Sequence, residues 1–409
     1  MPTRNRAHLL RFALQSAVEQ TFEDYEIVVS DNCSTDDTDQ VVRESKDARV
    51  RYVRSLESLS MPDSWEFAVR HAKGRYVTFL CDDDAISPQL LEMLVEITQL
   101  WNAEVITWGH GGYNHPNWYI AEDRNVATLP RLSNTSVRVN SRPALARLFS
   151  ELWPSFPVPK MLQSCCSRRV LESIWNRAGR LFIPSCPDLS SPTFILDAVG
   201  SYVHIDQALM ISGAARESNG AAQFVADNRA VLRAFADEFE PDGLFQETPL
   251  HALVSINCVA DTLLRSKRLL GDRLHGIDIN WERYYAMCFE GLGIYRQANV
   301  DTATEFEEFY AVMACQPEEF QQRVWKHIDA QRPVRWRQAI RRAINSNRFL
   351  TSFESLVRPA IRNSKGVRIL GAQAGFTNIL ECVRMLPEFG RRYTSARFGS
   401  SVPEELLFP

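Results

Sequence analysis

The sequence predicts an α/β protein in its first half, continued by a mostly helical C-terminal region, and three observations lead there. Strand-patterned and helix-patterned segments alternate up to about residue 110, the signature of a parallel sheet with crossover helices. An acidic run, Cys81-Asp82-Asp83-Asp84, directly follows an apolar strand, at the strand end where open α/β sheets place ligands. From Ala221 to about Ala330 apolar residues recur at helical spacing instead, as in Val231-Leu232-Ala234-Phe235 and Leu253-Val254-Cys258-Val259-Leu263-Leu264.

The elements follow in order. Leu9, Leu10, Phe12, Ala13, Ala17 and Val18 mark a first helix, and Ile27-Val28-Val29 a short buried strand. Ser34 and Thr35 offer caps for a second helix, whose first turn holds Asp36 and Asp37 at the positive end of the dipole. Val50 and Tyr52, alternating with arginines, read as a strand. Met61 to Lys73 is helical, entered through Pro62-Asp63-Ser64 and stopped at Gly74. Arg75 to Leu80 is the strand that runs into the acidic cluster. Ser87-Pro88 then opens a helix through about Leu100, and Glu104 to Trp108 supplies one more strand. The expected division is residues 1–220 as one α/β domain, in halves 1–110 and 111–220, with 221–409 as a helical appendage.

Composition sets the bounds. At 409 residues, 45% apolar and 23% charged, the chain can build a large core and two or three domains of roughly 150 residues. A formal charge of −4 argues against a chain that coats nucleic acid. The nine cysteines are scattered and form no CxxC pair, so reduced thiols in a cytosol are the simplest reading. The sequence holds no apolar run near the roughly 20 residues that span a bilayer, and Met1-Pro2-Thr3-Arg4 does not read as a secretory leader. The expectation is a cytoplasmic protein, soluble or at most peripheral on the inner face of a membrane.

Carboxylates crowded at a strand end repel one another unless a cation neutralises them, which points to a hard divalent metal able to hold a diphosphate. Such a metal would also offset charge developing on a departing nucleoside diphosphate. The alternative reading is a solvated acidic turn.

Four stretches in sequence carry a family resemblance: Pro2-Thr3-Arg4-Asn5-Arg6, Gln20-Thr21-Phe22, Glu26 to Thr38, and Gly74 to Asp84. Together they resemble family 2 glycosyltransferases of the GT-A fold, a Rossmann-like nucleotide-diphospho-sugar transferase domain. The resemblance is sharp to about residue 110, weaker to about 220 and absent beyond. It implies an inverting, metal-assisted enzyme using Mn²⁺ or Mg²⁺. Such an enzyme moves a sugar from a nucleotide donor, expected to be a UDP-sugar, to a hydroxyl of a carbohydrate or lipid-linked acceptor in polysaccharide or glycoconjugate synthesis.

Residue by residue, the resemblance puts Pro2 and Thr3 at the nucleotide, with Arg4, Asn5 and Asn32 beside them and Asp31 as partner of the uracil N3–H. The family's DxD maps onto Cys81, Asp82 and Asp83, so Cys81 is a departure. Asp83 becomes the principal metal ligand, Asp82 a nucleotide neighbour and Asp84 a supporting residue at the metal. A second departure is that family members carry a short apolar strand ahead of the Pro-Thr segment, where this chain begins. A missing central strand would expose unpaired backbone, so the expected true start lies upstream.

Inverting members place a carboxylate general base in the acceptor half. The candidate is Asp188, in Ile183 to Pro192, before a helix to Ala198, a stop at Gly200 and a strand Tyr202 to Ile205. The alternative role for Asp188 is a helix cap, and Asp197 and Asp206 are rivals for the base.

Other fragments carry less. Gly109-His110-Gly111-Gly112 resembles an oxyanion loop but has no GxSxG partner, and neither GxGxxG nor a Walker A occurs. Trp65, Trp108 and Trp153 are candidates to stack on sugars, against the commoner role of core aromatics. Residues 213–220 read as a loop over the donor, with Arg216 reaching a phosphate, against an ordinary surface loop. The basic stretch 332–348 suits an anionic membrane surface, a solvated helix face or an oligomer contact. Two other classes stay open: a non-catalytic nucleotide-sugar or carbohydrate binder, and a nucleotidyltransferase, although the Gly-rich activation loop of the latter is missing.

Overall fold

The computed structural model describes residues 1–130, 132–218, 237–239, 243–297, 301–330 and 367–387. The basic stretch 332–348, the end of the 213–220 segment and the first part of the helical region lie outside the described residues.

A three-stranded parallel sheet opens the chain, ordered β1 (Pro2–Thr3), β2 (Ile27–Asp31), β3 (Val50–Arg54). All five residues of β2 are buried, as expected of a central parallel strand covered on both faces, whereas β3 is half-buried. Helix α1 (Ala7–Val18) buries Ala7, Leu10, Leu14 and Ala17, one stripe at helical spacing, in a core it shares with Val29 and Val42. The caps differ from the expected pair. Asp36 does the work at both helices, accepting Ala7 N at 2.8 Å at the start of α1 and Thr38 N at 3.2 Å at the start of α2 (Thr38–Glu44). Ser34 and Thr35 are instead bonded to the residue 5 backbone and side chain.

Helix α3 (Met61–His71) is capped by Ser60, one residue ahead of the predicted start. Helix α4 (Leu90–Trp101) ends on Asn102 in the left-handed conformation, φ 47°. The motif residue Gln20 joins the two ends of this layer, donating to Ser16 O at 3.0 Å and Ser87 O at 2.9 Å and accepting Leu91 N at 3.1 Å.

The second sheet is mixed rather than parallel. Its spine is β6 (Val105–Asn114) and β10 (Ser201–Ala214), which run parallel, and each changes its outer partner halfway. Strand β6 pairs first with β9 (Ser164–Ser167) and then with β7 (Val126–Leu129), while β10 pairs first with β8 (Ser136–Asn140) and then with β5 (Ala85–Ile86). Strand β4 (Tyr76–Thr78) joins through β9, antiparallel. The Gly109–Gly112 run is therefore the middle of a strand. A Cβ at Gly111 would meet the Leu129 and Ile211 side chains at 2.5 and 2.7 Å, so close sheet packing accounts for that glycine.

Helices α5 (Ser141–Glu151), α6 (Arg168–Ala178) and α7 (Pro187–Ala198) cover this sheet. The helical region packs straight onto them: α8 (Ser255–Leu270), α9 (Trp281–Gln297) and α10 (Ala303–Ala314) share one core with them, built around Phe149, Leu171, Ile195, Leu263, Tyr284 and Phe309. The last described segment departs from the all-helical expectation. Strand β11 (Val367–Leu370) pairs antiparallel with β7, and α11 (Gly371–Ala374) and α12 (Ile379–Arg384) follow, the latter tied to α1 by Arg384 and Glu19. All nine cysteines are free thiols, and no helix among the described residues is long and apolar enough to cross a membrane.

Candidate active site

After β4, Phe79 and Leu80 are buried and the chain turns through Cys81–Asp84 into β5, so packing on both sides fixes the turn. Asp82, Asp83 and Asp84 are all buried. Burial pushes the Asp84 carboxyl well above its ordinary range, with Asp83 adding to the effect, and Asp82 is raised by burial against the opposing pull of Arg6. The Cys81 thiol is likewise pushed up by burial and by the three carboxylates.

Each carboxylate has a different partner. Arg6 Nη1 lies 3.1 Å from Asp82 Oδ1 and 3.7 Å from Asp83 Oδ2. Ser218 Oγ donates to Asp83 Oδ2 at 2.6 Å, and the Asp83 carbonyl accepts from His115 Nε2 at 3.0 Å. Asp84 Oδ1 accepts Gly213 N at 2.8 Å and Ser212 Oγ at 3.2 Å, which ties the turn to β10. One ligand atom each from Cys81, Asp83 and Asp84 lie within 4.8 Å of one another, a set that can converge on a single cation. Asp83 and Asp84, the metal ligands expected from the sequence, both belong to this set. Cys81, there a departure from the pattern, is the third member of the set.

Gly213 makes this approach possible. A Cβ there would fall 1.7 Å from the Asp83 carbonyl oxygen and 2.7 Å from His115 Nε2, and the first of these is backbone that cannot step aside. Gly213→Ala should therefore displace the turn or β10, lowering stability by roughly 1–3 kcal/mol. Thermal melting measures this, and an unchanged melting temperature would show that the close approach is not needed.

An open cavity of about 650 Å³ extends from this turn. Pro2, Thr3, Arg4 and Asn32 line one part of it, Cys81–Asp84 and Ser218 another, and Trp153 with Cys186–Asp188 a third. The Thr3 hydroxyl is buried there close to Asp82 without a well-formed hydrogen bond. Asp188 thus shares a cavity with the acidic turn although the two are about a hundred residues apart in sequence. Its Oδ1 accepts from the Cys186 thiol at 2.9 Å and its Oδ2 lies 3.5 Å from Lys160 Nζ. The N-cap of α7 is Cys186, with no side-chain cap bond, so Asp188 does not act as the cap.

The loop before Asp188 is held from the helical region. Ser185 N and Cys186 N both donate to Thr262 Oγ1 at 2.9 Å, and Ser185 Oγ donates to Asp261 Oδ2 at 2.8 Å. The rival carboxylates are occupied elsewhere: Asp197 by Arg273 at 2.8 Å and Arg177 at 3.6 Å, Asp206 by Ser133 N at 2.7 Å.

Three residues nominated from the sequence are not among those that line the cavity. Asp31 is fully buried and accepts Ser34 N and Arg54 Nη1, both at 2.8 Å, together with the Tyr52 hydroxyl. Asn5, at φ 53°, accepts Thr35 N at 2.7 Å. Arg216 is exposed, with its guanidinium 5.4 Å from the Tyr119 ring centre. Of the tryptophans, Trp108 is core, Trp65 packs on Phe79 and Phe182 while reaching the cavity, and Trp153 is 48% exposed at its rim. Arg6 and Ser218 were not singled out by sequence. For Arg6 the available signal was an invariably charged side chain inside the Pro2–Arg6 motif.

Residues 1–145 match the family described as Glycosyl transferase family 2. Among similar curated proteins is the GalNAc(5)-diNAcBac-PP-undecaprenol beta-1,3-glucosyltransferase of Campylobacter jejuni, 37% identical over 99 residues, 24% of this chain and 32% of that protein. Another is the Escherichia coli UDP-Glc:alpha-D-GlcNAc-diphosphoundecaprenol beta-1,3-glucosyltransferase WfgD, 28% identical over 113 residues, 28% of this chain and 44% of that one. The similarity thus spans less than half the length of either relative. Among solved structures, S. aureus TarS 1–349 in complex with UDP-GlcNAc aligns over 97% of this chain and 92% of its own, at 16% identity and a TM-score of 0.45.

Proposed function

We propose that this chain, whose residues 1–145 match glycosyl transferase family 2, is an inverting glycosyltransferase of GT-A Rossmann-like fold whose donor is a nucleotide-diphosphate sugar, in first place a UDP-sugar. The observation that carries the reading is the cavity shared by the acidic turn and Asp188, which brings a leaving-group site and a base to one space.

In this reading Pro2, Thr3, Arg4 and Asn32 receive the nucleotide, and Asp31 and Asn5 hold the adjoining turn at Ser34 and Thr35. Asp83 and Asp84, with Cys81, would hold Mn²⁺ or Mg²⁺, which would supply positive charge to offset that gathering on a departing diphosphate. The remaining work falls to side chains of this chain. Asp188 accepts the proton of the acceptor hydroxyl as its oxygen attacks the anomeric carbon from the face opposite the diphosphate. Thr262 and Asp261 hold the loop that aims it, so residues beyond the family match contribute to the acceptor side. Lys160 stands between Asp188 and the Trp153 ring, and Trp153, which lines the same cavity as Asp188, suits the acceptor sugar.

The two relatives are named for acceptors on undecaprenol diphosphate, which supports a lipid-linked acceptor here and work at the inner face of a membrane, in polysaccharide or glycoconjugate synthesis. Residues 1–220 form the transferase domain in this proposal, with 221–409 as the region that completes it and with 332–348 as its membrane contact.

Turnover separates this reading from a binding-only protein. Incubated with Mn²⁺, a panel of α-linked UDP-sugars and prenyl-diphosphate sugars, the protein should release UDP and form a β-linked product. Binding without transfer across the panel would favour the non-catalytic reading, and an α-linked product would overturn the inverting displacement.

A further inference from the structure

The cation nearest the acidic turn belongs to the protein itself. Arg6 closes the first motif just before α1, and its side chain is 20% exposed, with its guanidinium set between Asp82 and Asp83. Its second terminal nitrogen donates to the Glu217 carbonyl, so three oxygens from two distant segments hold one guanidinium. An arginine in a protein stays charged, so Arg6 is a permanent cation beside these carboxylates. One of its partners, Asp83, also belongs to the set that converges on a cation. Arg6 and a divalent metal therefore draw on the same carboxylate. Arg6 also lines the cavity, within reach of any diphosphate seated over the turn.

We propose that Arg6 is an internal counter-cation that keeps the acidic turn in a low-affinity state for metal until a nucleoside diphosphate arrives. The diphosphate offers the guanidinium a bidentate anionic partner, Arg6 leaves Asp83, and the freed carboxylate is then available to the metal. Metal and nucleotide consequently bind as a coupled pair, and by linkage each raises the affinity for the other by the same factor. Withdrawal of Arg6 also releases the Glu217 carbonyl, one residue before the Ser218 hydroxyl bonded to Asp83, so the end of β10 senses the exchange. The inference rests on the metal and nucleotide reading given above, but its first test requires no nucleotide.

Mn²⁺ binding to the nucleotide-free protein, followed by electron paramagnetic resonance, should be about tenfold tighter in Arg6→Gln than in the parent, because a competing charge is gone. Arg6→Lys keeps the charge and should bind Mn²⁺ as weakly as the parent. Calorimetry in the presence of a chelator should show UDP affinity falling about tenfold in Arg6→Gln, and the mutual enhancement between UDP and Mn²⁺ should shrink. Equal or weaker Mn²⁺ binding by a folded Arg6→Gln protein overturns the proposal. So does a Lys variant that behaves like Gln, because charge would then not be the cause. If the parent binds no nucleotide diphosphate but the metal-only difference appears, the donor assignment fails and the competition between Arg6 and metal stands.

Discussion

Asp188→Asn is expected to lower turnover by about 10²-fold or more while donor binding and folding persist. The substitution conserves shape and leaves an oxygen able to accept from the Cys186 thiol, 2.9 Å away in the parent. What it removes is the capacity to take a proton, together with the ion pair to Lys160. Both members of that pair are partly exposed, at 29% and 21%, so its loss costs stability about 0–1 kcal/mol at most. Helix α7 is anchored by other means, since Pro187 and every residue from Leu189 to Leu196 are buried. Folding and chemistry should therefore separate: the melting temperature stays within a degree or two, the donor dissociation constant stays near that of the parent, and the rate falls. An Asn variant that kept its rate per folded molecule would remove Asp188 from the mechanism. The rivals named from the sequence are then poor substitutes, because Asp197 is clamped by two arginines and Asp206 is turned to Ser133, whereas Glu238 lines the same cavity and would be tested next.

What was legible in the sequence was local. The longer helices and strands to residue 108 follow from periodicity, the two-residue strands β1 and β5 do not, and the acidic turn after an apolar strand announced itself because crowded carboxylates need a reason. Long-range pairing was not legible. The parallel pattern held for β1–β3 and for β6 with β10, but β9 comes from residues 164–167 and inserts antiparallel between β4 and β6. A short strand such as Ser164-Cys165-Cys166-Ser167 carries too little pattern to announce its partners. Strand β11 is the same case, returning from residues 367–370 to the edge of β7.

The site divides along the same line. Residues next to one another in a motif were found together, as Asp83 and Asp84 were. Whether a motif residue faces the cavity or the core was not decidable, because strand alternation and neighbouring side chains settle it. Asp31 ends β2, paired to Thr3 on one side and Arg54 on the other, and those neighbours enclose its carboxylate. Contacts such as Ser185 with Thr262, or Arg6 with Asp82, join segments whose spacing follows no rule, so no window of sequence contains them.

The sharpest test of the metal assignment is Asp83→Ala, which should erase the extra stabilisation that Mn²⁺ gives to the UDP-bound protein. At a ligand concentration about 100 times its dissociation constant, binding to the folded state alone adds about 2.7 kcal/mol, enough to raise the melting temperature by several degrees. In the parent that gain should depend on the cation and vanish with a chelator. Asp83 is the better residue to remove because its side chain serves the cavity: Oδ2 takes Ser218, and Arg6 keeps its shorter contact to Asp82 when Asp83 is gone. The unliganded variant should melt close to the parent, since the deletion also relieves repulsion within a buried acidic group. Asp84 behaves differently. Its carboxylate holds Gly213 N and Ser212 Oγ, so Asp84→Ala leaves a buried backbone donor unpaired and should lower the unliganded melting temperature as well as metal binding. The pair of variants therefore distinguishes a ligand from a structural tie. Retention of the Mn²⁺-dependent shift in Asp83→Ala would mean that the cation is bound elsewhere, and the role assigned to the acidic turn would fall with it.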